Sequence, residues 1–210
     1  MSNASDRRRA KSRRPILDMA LRRVKPGSGS SVAFLSTRTW SDPLTPLDLH
    51  RLRTPFVIVD GVATALYMPQ RVMLDLDLLV IPADEPQLAE EMRQAGGIHQ
   101  GTLTVGGSSW QFPAGSRLDV LAPAEPWVEA AVSSPNRAPT GLPVIALPYL
   151  VLMKLASGRA QDIADLSRML GQADPSLRAS VREAVATFRP EDMEDLESLI
   201  ILGDLELQEP

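Results

Sequence analysis

Residues 56–81 have the sequence FVIVDGVATALYMPQRVMLDLDLLVI. The spacing of the apolar residues predicts a buried strand over 56–59, a turn at 60–61 and a short helix over 62–68. A proline then breaks the helix, and a second strand is predicted over 74–81. This strand–helix–strand pattern is the centre of the predicted fold.

Two carboxylates interrupt the predicted second strand. Because successive side chains of a strand point to opposite faces, Asp75 and Asp77 share one face of the sheet. The opposite face, toward the core, is formed by Leu74, Leu76 and Leu78. Two neighbouring acids in an apolar strand repel each other and bind water strongly. The pattern therefore indicates a bound cation.

The composition is that of a soluble globular protein with one substantial core, since 44% of the 210 residues are hydrophobic. There is no cysteine, so any metal must be held by oxygen or histidine ligands. His50 and His99 lie far from the acids in sequence, which favours oxygen ligands. No apolar run approaches the roughly 20 residues that cross a bilayer, and no signal-peptide pattern follows the basic N-terminus. We expect no membrane partner and a cytoplasmic location.

The basic N-terminal segment is predicted to be an arm outside the core. Residues 1–25 contain nine Lys/Arg and two Asp, a net charge of +7, whereas the rest of the chain has a net charge of −11. Because residues 1–40 are rich in Arg, Ser and Gly, they are predicted to be mostly disordered. Four roles are open for this arm: binding nucleic acid, binding an acidic partner, pairing with the acidic C-terminal region of this protein, or forming a solvated tail.

The predicted α/β core spans residues 41–147. It adds helices and short antiparallel strands to the two strands described above. The helices are predicted over 46–53, 86–95 and 127–132, the strands over 101–105, 108–112, 117–121 and 142–147, and a loop over 133–141. The strand over 117–121 carries a third acid, Asp119, on the face opposite Leu118 and Val120.

A small helical region is predicted over residues 148–203, followed by an acidic tail over 204–210. Prolines and glycines bound its predicted helices, which cover 148–158, 159–170, 176–188 and 190–202. Glycines at 171 and 203 are interpreted as helix ends. Gly158 is interpreted as an end or a kink, and a helix that continues through it places Lys154, Asp162 and Asp165 within about a quarter turn of one another.

Lys154 lies in a helix that is apolar around much of its circumference. A buried ammonium group is costly unless it is paired, so Lys154 requires either an acid, such as Asp162 or Asp165, or a ligand phosphate. A purely structural salt bridge is therefore an alternative to a functional lysine. Arg159 and Asp162 are three residues apart and predict an ion pair on the helix surface.

Gly61, the Asp75-x-Asp77 pair and Asp119 form the pattern of the nucleotidyltransferase fold of the DNA polymerase β type. A glycine at a helix N-terminus lets backbone N–H groups approach phosphate oxygens. Three carboxylates on adjacent strands can hold two Mg²⁺ ions, about 3.5–4 Å apart, that bind a triphosphate and activate an attacking hydroxyl.

Four segments together resemble the AbiEii-type nucleotidyltransferases of bacterial toxin–antitoxin systems, over about residues 55–170. They are VDGVA at 59–63, RVMLDLD at 71–77, LDVL at 118–121 and MKLASGRAQDIADL at 153–166. The resemblance implies a mixed sheet flanked by helices, metal binding by the two strand acids, and roles in nucleotide binding and catalysis for Lys154 and Asp162. Characterised toxins of that family add nucleotides to tRNA 3′ ends, which implies an RNA acceptor and a cognate antitoxin as partners.

We therefore expect a Mg²⁺-dependent transfer of a nucleoside monophosphate from an NTP to an acceptor hydroxyl on RNA, on a partner protein or on a small molecule. Asp119 is expected to bind one metal and to help deprotonate the acceptor. Gly61 is expected to cradle the triphosphate, and Arg71 and Lys154 to neutralise charge on the leaving pyrophosphate.

Asp60 stands where the family commonly has a glycine. A carboxylate at the phosphate-binding turn repels a triphosphate unless it binds metal or points away. This residue favours the alternative function, a catalytically inactive binding module of the same fold that is antitoxin-like or nucleotide-sensing.

Overall fold

The computed structural model describes four segments of the chain, residues 4–27, 47–68, 76–113 and 116–207. Within these segments the chain forms eight α-helices and seven β-strands. Arg71 and Asp75, and with them the predicted beginning of the second strand, lie outside the described residues.

The described residues divide into two compact units. The sheet unit comprises residues 47–66 and 76–146, and the helical unit comprises residues 4–27, 67–68 and 147–207. The sheet unit thus ends one residue before the predicted end of the α/β core at residue 147. The N-terminal segment belongs to the helical unit, whereas the sequence predicted a separate arm.

The sheet unit is built on a seven-stranded mixed sheet. Its strands are β1 (Val57–Val59), β2 (Leu76–Leu79), β3 (Ile98–Thr102), β4 (Gly107–Gln111), β5 (Arg117–Leu121), β6 (Asn136–Arg137) and β7 (Pro143–Val144). Their order across the sheet is β3-β4-β5-β2-β1-β7-β6. The β1–β7 and β2–β5 pairs are parallel and the other neighbouring pairs are antiparallel. The predicted α/β class with a mixed sheet is confirmed.

The central strands have one fully apolar face. Ile58, Leu78 and Val120 are in register across β1, β2 and β5, and all three are completely buried. Because side chains alternate along a strand, the residue that precedes Leu78 on β2 and the residue that precedes Val120 on β5 both point to the opposite face. The positions in register on that second face include Asp77 and Asp119. The apolar face anchors the strands, and this fixes the register of the two acids.

Helix α1 (Ala4–Arg23) belongs to the helical unit. Three α-helices follow strands of the sheet, namely α2 (Asp60–Tyr67), α3 (Glu85–Gln94) and α4 (Val128–Ser133). The helix predicted over 46–53 is a single 3-10 turn, Leu49–Arg51, in the described part of that range. It begins there because the Asp48 carboxylate accepts a hydrogen bond from the backbone N–H of His50 at 3.1 Å.

The predicted loop over 133–141 contains the short strand β6. It pairs with β7 through Asn136 opposite Val144 and Arg137 opposite Pro143. Both strands are two residues long, which is too short for alternation of apolar and polar residues to be recognised in the sequence.

The helical unit contains five α-helices. They are α1 (Ala4–Arg23), α5 (Leu147–Ser157), α6 (Ala160–Gln172), α7 (Pro175–Phe188) and α8 (Met193–Leu207), with a 3-10 turn at Pro190–Asp192 before α8. No helix in the described part of the chain is long and apolar enough to span a membrane.

Helix α1 occupies residues for which the sequence predicted disorder. Its Arg13 is only 2% exposed, and its guanidinium group bonds to the carboxylates of Asp192 and Asp195, the latter at 3.1 Å, and to the backbone carbonyl of Leu155. Leu17, one turn later, is also completely buried. Of the four roles open for the basic arm, pairing with this protein's own acidic C-terminal region therefore applies to Arg13. Composition alone missed the helix because the ordering contacts are with residues far away in sequence.

Two glycines that were interpreted as helix ends lie inside helices. Helix α6 continues through Gly171, and α8 continues through Gly203 to Leu207, so that residues 204–207 of the predicted acidic tail are helical. A Cβ atom added at Gly203 would lie 2.1 Å from the carbonyl oxygen of Ser167, and one at Gly171 would lie 2.7 Å from the carbonyl oxygen of Gly203. The glycines therefore permit close contact between two helices, which outweighs their low helix propensity.

Candidate functional site

Asp77 and Asp119 lie side by side in the centre of the sheet. They are partners in the parallel register of β2 and β5, so their side chains leave the same face from strands about 4.8 Å apart. Both residues are half-buried. The sequence predicted that these two acids would meet, and the register brings them together.

One oxygen of this acid pair has no hydrogen-bond partner among the described residues. Oδ1 of Asp119 is buried without a donor. A buried carboxylate oxygen without a donor costs free energy on the order of 1–3 kcal/mol, and more when it is charged. A cation or a hydrogen-bond donor beside Asp119 would remove this cost.

Ser109 extends the acid pair to a third strand. It is the antiparallel register partner of Asp119 on β4, and its Oγ atom is likewise buried without a hydrogen-bond partner in the described segments. The sequence analysis did not select Ser109. Alternation in the segment GSSWQ was the available indication, because it places Ser109 on the face opposite Ser108 and Trp110, and the register adds that this is the face of Asp119.

The β1–α2 turn lies beside the same acids. Val59, the last residue of β1, is the register partner of Asp77, and Asp60 and Gly61 follow it directly. Asp60 has a φ angle of 50°, the only positive value outside glycine in the described chain. Glycine adopts this backbone conformation most readily, so an aspartate at this position is under backbone strain. The hydroxyl of Thr64 donates to the Asp60 carbonyl at 2.7 Å and closes the first turn of α2.

Gly61 is the second residue of α2 and is buried. At the N-terminus of an α-helix, the first backbone N–H groups have no partner within the helix and form a site with partial positive charge. Gly61 lies two residues after Val59, the register partner of Asp77, and its phosphate-binding role stays a prediction.

Lys154 lies in the helical unit and is paired with two acids. Its ammonium nitrogen is 3.0 Å from Oδ1 of Asp162 and 2.9 Å from Oδ2 of Asp165, and all three side chains are at most 3% exposed. The helix does not continue through Gly158, which has a φ angle of 65° and separates α5 from α6. The resulting bend still brings Lys154 on α5 to both acids on α6.

Asp162 is the most heavily bonded acid of this cluster. It accepts hydrogen bonds from Lys154, from the hydroxyl of Ser157 and from Nε of Arg159 at 2.7 Å, which confirms the predicted Arg159–Asp162 ion pair. Burial opposes ionisation of Asp162, but the hydrogen bonds from Arg159 and Ser157 and the charge of Lys154 outweigh it and lower the pKa of the carboxyl group below its ordinary value of 3.8. Asp162 is therefore ionised throughout the physiological pH range.

The predicted site residues within the described ranges are distributed over both units. In the sheet unit, Asp77, Asp119 and the neighbouring Ser109 form the acid row. In the helical unit, Lys154, Asp162 and Asp165 form the Lys154 cluster. No group of three or more potential His, Cys, Asp or Glu metal ligands occurs within residues 4–27, 47–68, 76–113 and 116–207. The third predicted ligand, Asp75, and the predicted phosphate ligand, Arg71, fall outside those ranges.

The donor set of the acid row fits a hard divalent cation. Carboxylate and hydroxyl oxygens are the ligands that Mg²⁺ prefers, and the buried Oδ1 atom of Asp119 lacks a partner that such an ion would supply. Chemically, such a row can bind a cation and accept a proton from a nearby hydroxyl.

The fold and the acid row define an α/β protein with two strand carboxylates in register beside the turn into a helix. No protein-family model matches the sequence, and no curated protein matches it. The solution structure of the antibiotic-resistance factor ANT(2″)-Ia is similar with a TM-score of 0.39 and 18% identity, over 69% of this chain and 80% of that chain. The crystal structure of ANT(2″)-Ia in complex with adenylyl-2″-tobramycin has a TM-score of 0.37 and 18% identity, over 70% of this chain and 87% of that chain. Likeness at this level carries no functional argument.

Proposed function

We propose that this protein is a metal-dependent nucleotidyltransferase that moves a nucleoside monophosphate from an NTP to an acceptor hydroxyl. The observation that carries the proposal is the in-register pair Asp77 and Asp119, with an Asp119 oxygen that is buried and has no partner among the described residues. An acid pair of this kind is costly for stability, and cation binding offsets the cost.

Asp77 and Asp119, together with Asp75, would hold two Mg²⁺ ions. Bound Mg²⁺ would neutralise charge on the triphosphate and make an attacking hydroxyl more acidic. The choice of oxygen ligands is supported by the absence of cysteine from the sequence.

In the proposed reaction, the acceptor oxygen forms a bond to the α-phosphorus of the NTP, and the bond from that phosphorus to the bridging oxygen breaks. Pyrophosphate leaves with the electron pair of the broken bond. Asp119 accepts the proton of the acceptor hydroxyl. Backbone N–H groups at Gly61 bind phosphate oxygens, and Arg71 neutralises charge on the leaving group.

For Lys154 and Asp162, the resemblance implies nucleotide binding and catalysis. Their contacts also support the structural alternative, because Lys154 is buried between Asp162 and Asp165 and its charge is compensated within the helical unit. Replacing Lys154 by methionine together with Asp165 by leucine separates the two roles. Transfer activity in a folded double variant would show that Lys154 is structural. Loss of activity at unchanged stability would show that it is functional.

The acceptor is proposed to be an RNA 3′ end, such as that of tRNA, or a hydroxyl of a partner protein. A toxin–antitoxin role, a cognate antitoxin as partner and a cytoplasmic location are proposed with it. These finer assignments rest on the resemblance to the AbiEii-type enzymes.

The direct test is incubation of the protein with each labelled NTP, Mg²⁺ and total cell extract, followed by identification of the labelled species. Asp77→Asn and Asp119→Asn should each abolish labelling, since the amide removes a charge that the cation requires. Asp84→Asn is the matched control, because Asp84 precedes α3 in the same unit and its side chain makes no capping hydrogen bond. Full activity in either of the first two variants would refute the assignment.

A second candidate function is a catalytically inactive module of the same fold, antitoxin-like or nucleotide-sensing. Asp60 supports it, because a carboxylate occupies the turn at which a triphosphate would bind. Calorimetric titration with each NTP, with and without Mg²⁺, distinguishes the candidates. An NTP that binds only with Mg²⁺ supports the enzyme or a sensor, and labelling then separates these two; no binding of any nucleotide supports the antitoxin-like module.

A further inference from the structure

Ser109 is a buried polar residue that takes no part in the proposed transfer reaction. Its residue is 7% exposed, and its Oγ atom has no hydrogen-bond partner among the described residues. A strand can bury a serine at little cost when the hydroxyl is paired, and a serine without a partner is less favourable than alanine at the same position. Stability of the sheet therefore does not account for this side chain.

The neighbouring Ser108, on the same strand, has hydrogen-bond partners for its hydroxyl group. Its hydroxyl donates to the Glu85 carboxylate at 2.6 Å and accepts from Nε1 of Trp110 at 3.0 Å. Ser108 and Ser109 are adjacent, both are buried, and they point to opposite faces of β4. The difference between them is one of environment, because Ser108 faces α3 and Ser109 is in the acid row.

The partner of Ser109 must also suit Asp119. The two residues are opposite each other in the β4–β5 register, where Cβ atoms are typically about 4.5–5.5 Å apart, yet no hydrogen bond joins the two partnerless atoms. An ionised carboxylate only accepts hydrogen bonds or binds a cation, whereas a hydroxyl can accept a hydrogen bond from water. A hydrated cation supplies both: the ion for Asp119 and a water hydrogen for Ser109.

We propose that Ser109 is a positioning residue of the cation site, and that its hydroxyl accepts a hydrogen bond from a water molecule bound to the cation held by Asp77 and Asp119. Mg²⁺ characteristically keeps several water ligands, which must in turn find hydrogen-bond acceptors. Hydrogen bonds around a metal site typically change its affinity by about 10- to 100-fold. The inference rests on the proposed function, since it requires the same cation.

The test uses the full chain freed of metal with a chelator, and Mn²⁺ as the probe. Mn²⁺ affinity is measured from the electron paramagnetic resonance signal of the unbound ion, and metal-free stability from thermal unfolding. Ser109→Ala should weaken Mn²⁺ binding by about 10-fold or more, while the metal-free unfolding midpoint stays equal to that of the wild type or rises. Ser108→Ala, the control on the same strand, should lower the metal-free midpoint and leave Mn²⁺ affinity unchanged.

Wild-type Mn²⁺ affinity in Ser109→Ala overturns the inference, and so does a fall in metal-free stability as large as that of the Ser108 variant. Asp119→Asn separates this failure from failure of the proposed function. If the wild type binds Mn²⁺, Asp119→Asn does not, and Ser109→Ala binds normally, only the role of Ser109 is wrong. If the wild type binds no Mn²⁺, both the role of Ser109 and the proposed metal dependence are wrong.

Discussion

Replacement of Asp60 tests how the β1–α2 turn affects the binding of a triphosphate. Asp60 combines two unfavourable features, a carboxylate at the proposed phosphate site and a φ angle of 50°. Asp60→Asn removes the charge and keeps a residue that tolerates the left-handed conformation, whereas Asp60→Gly removes both. The two variants therefore separate electrostatics from backbone strain.

The expected effect of Asp60→Gly on stability is small. A non-glycine residue in the left-handed region costs about 1 kcal/mol, and glycine costs about 0.5–1 kcal/mol through the extra freedom of the unfolded chain. These contributions nearly cancel, so Asp60→Gly should change the free energy of unfolding by less than about 1 kcal/mol. Urea denaturation measures this, and it also shows whether any change in binding comes from misfolding.

The expected effect on nucleotide binding is larger. Two unit charges about 8 Å apart repel each other by about 2 kcal/mol at an effective dielectric constant of about 20. Removing this repulsion corresponds to about a 30-fold increase in affinity before screening by salt, so both variants should bind NTP with Mg²⁺ at least several-fold more tightly. Calorimetry at low and high salt measures the gain, which should shrink as salt rises. Weaker binding in both variants would refute this reasoning and would make Asp60 a metal ligand.

Three further predictions concern the helical unit. Arg13→Met should lower the free energy of unfolding in urea by about 1.5–3 kcal/mol, because it removes charged hydrogen bonds to the buried acids Asp192 and Asp195, which keep Arg189 and Arg14 as partners. A loss below about 1 kcal/mol would mean that α1 does not depend on this contact. In the folded protein the pKa of Asp162 is below its ordinary value of 3.8, so its stabilising contribution is complete above about pH 3.8 and is lost as the pH falls through the lower folded value. Asp162→Asn should therefore reduce the fall in the free energy of unfolding at acid pH, measured by circular dichroism. An unchanged fall would contradict this. Gly203→Ala should lower the free energy of unfolding by about 1–3 kcal/mol, despite the higher helix propensity of alanine. The control Ile201→Ala, at a half-exposed position of the same helix, should lower it much less. Equal effects would contradict close packing at Gly203.

The sequence predicted those features that depend on local alternation. The face shared by Asp77 and Asp119 follows from the period of two along each strand, and only the pairing of β2 with β5 had to be added by the structure. Ser109 was missed because its pairing with Asp119 depends on the register between β4 and β5, which no local pattern specifies.

The errors in the helical unit have a different cause. Gly171 and Gly203 have the low helix propensity that marks helix ends, but contact between α6 and α8 excludes any side chain there. Similarly, the basic composition around Arg13 is typical of disorder, and its buried acid partners lie about 180 residues later. Tertiary contacts override local preference at these positions, and local preference is all that a single sequence shows directly.

The Arg13 contacts also constrain the order in which this protein folds. Asp192 and Asp195 are translated about 180 residues after Arg13, so α1 is synthesised before the acids that bind it. Because an arginine-rich helix with few apolar side chains is marginal in isolation, α1 has no reason to remain ordered until those acids arrive. Contacts across such a sequence separation form more slowly than contacts between helices that follow each other along the chain, so we expect α1 to dock after α5–α8 have packed together.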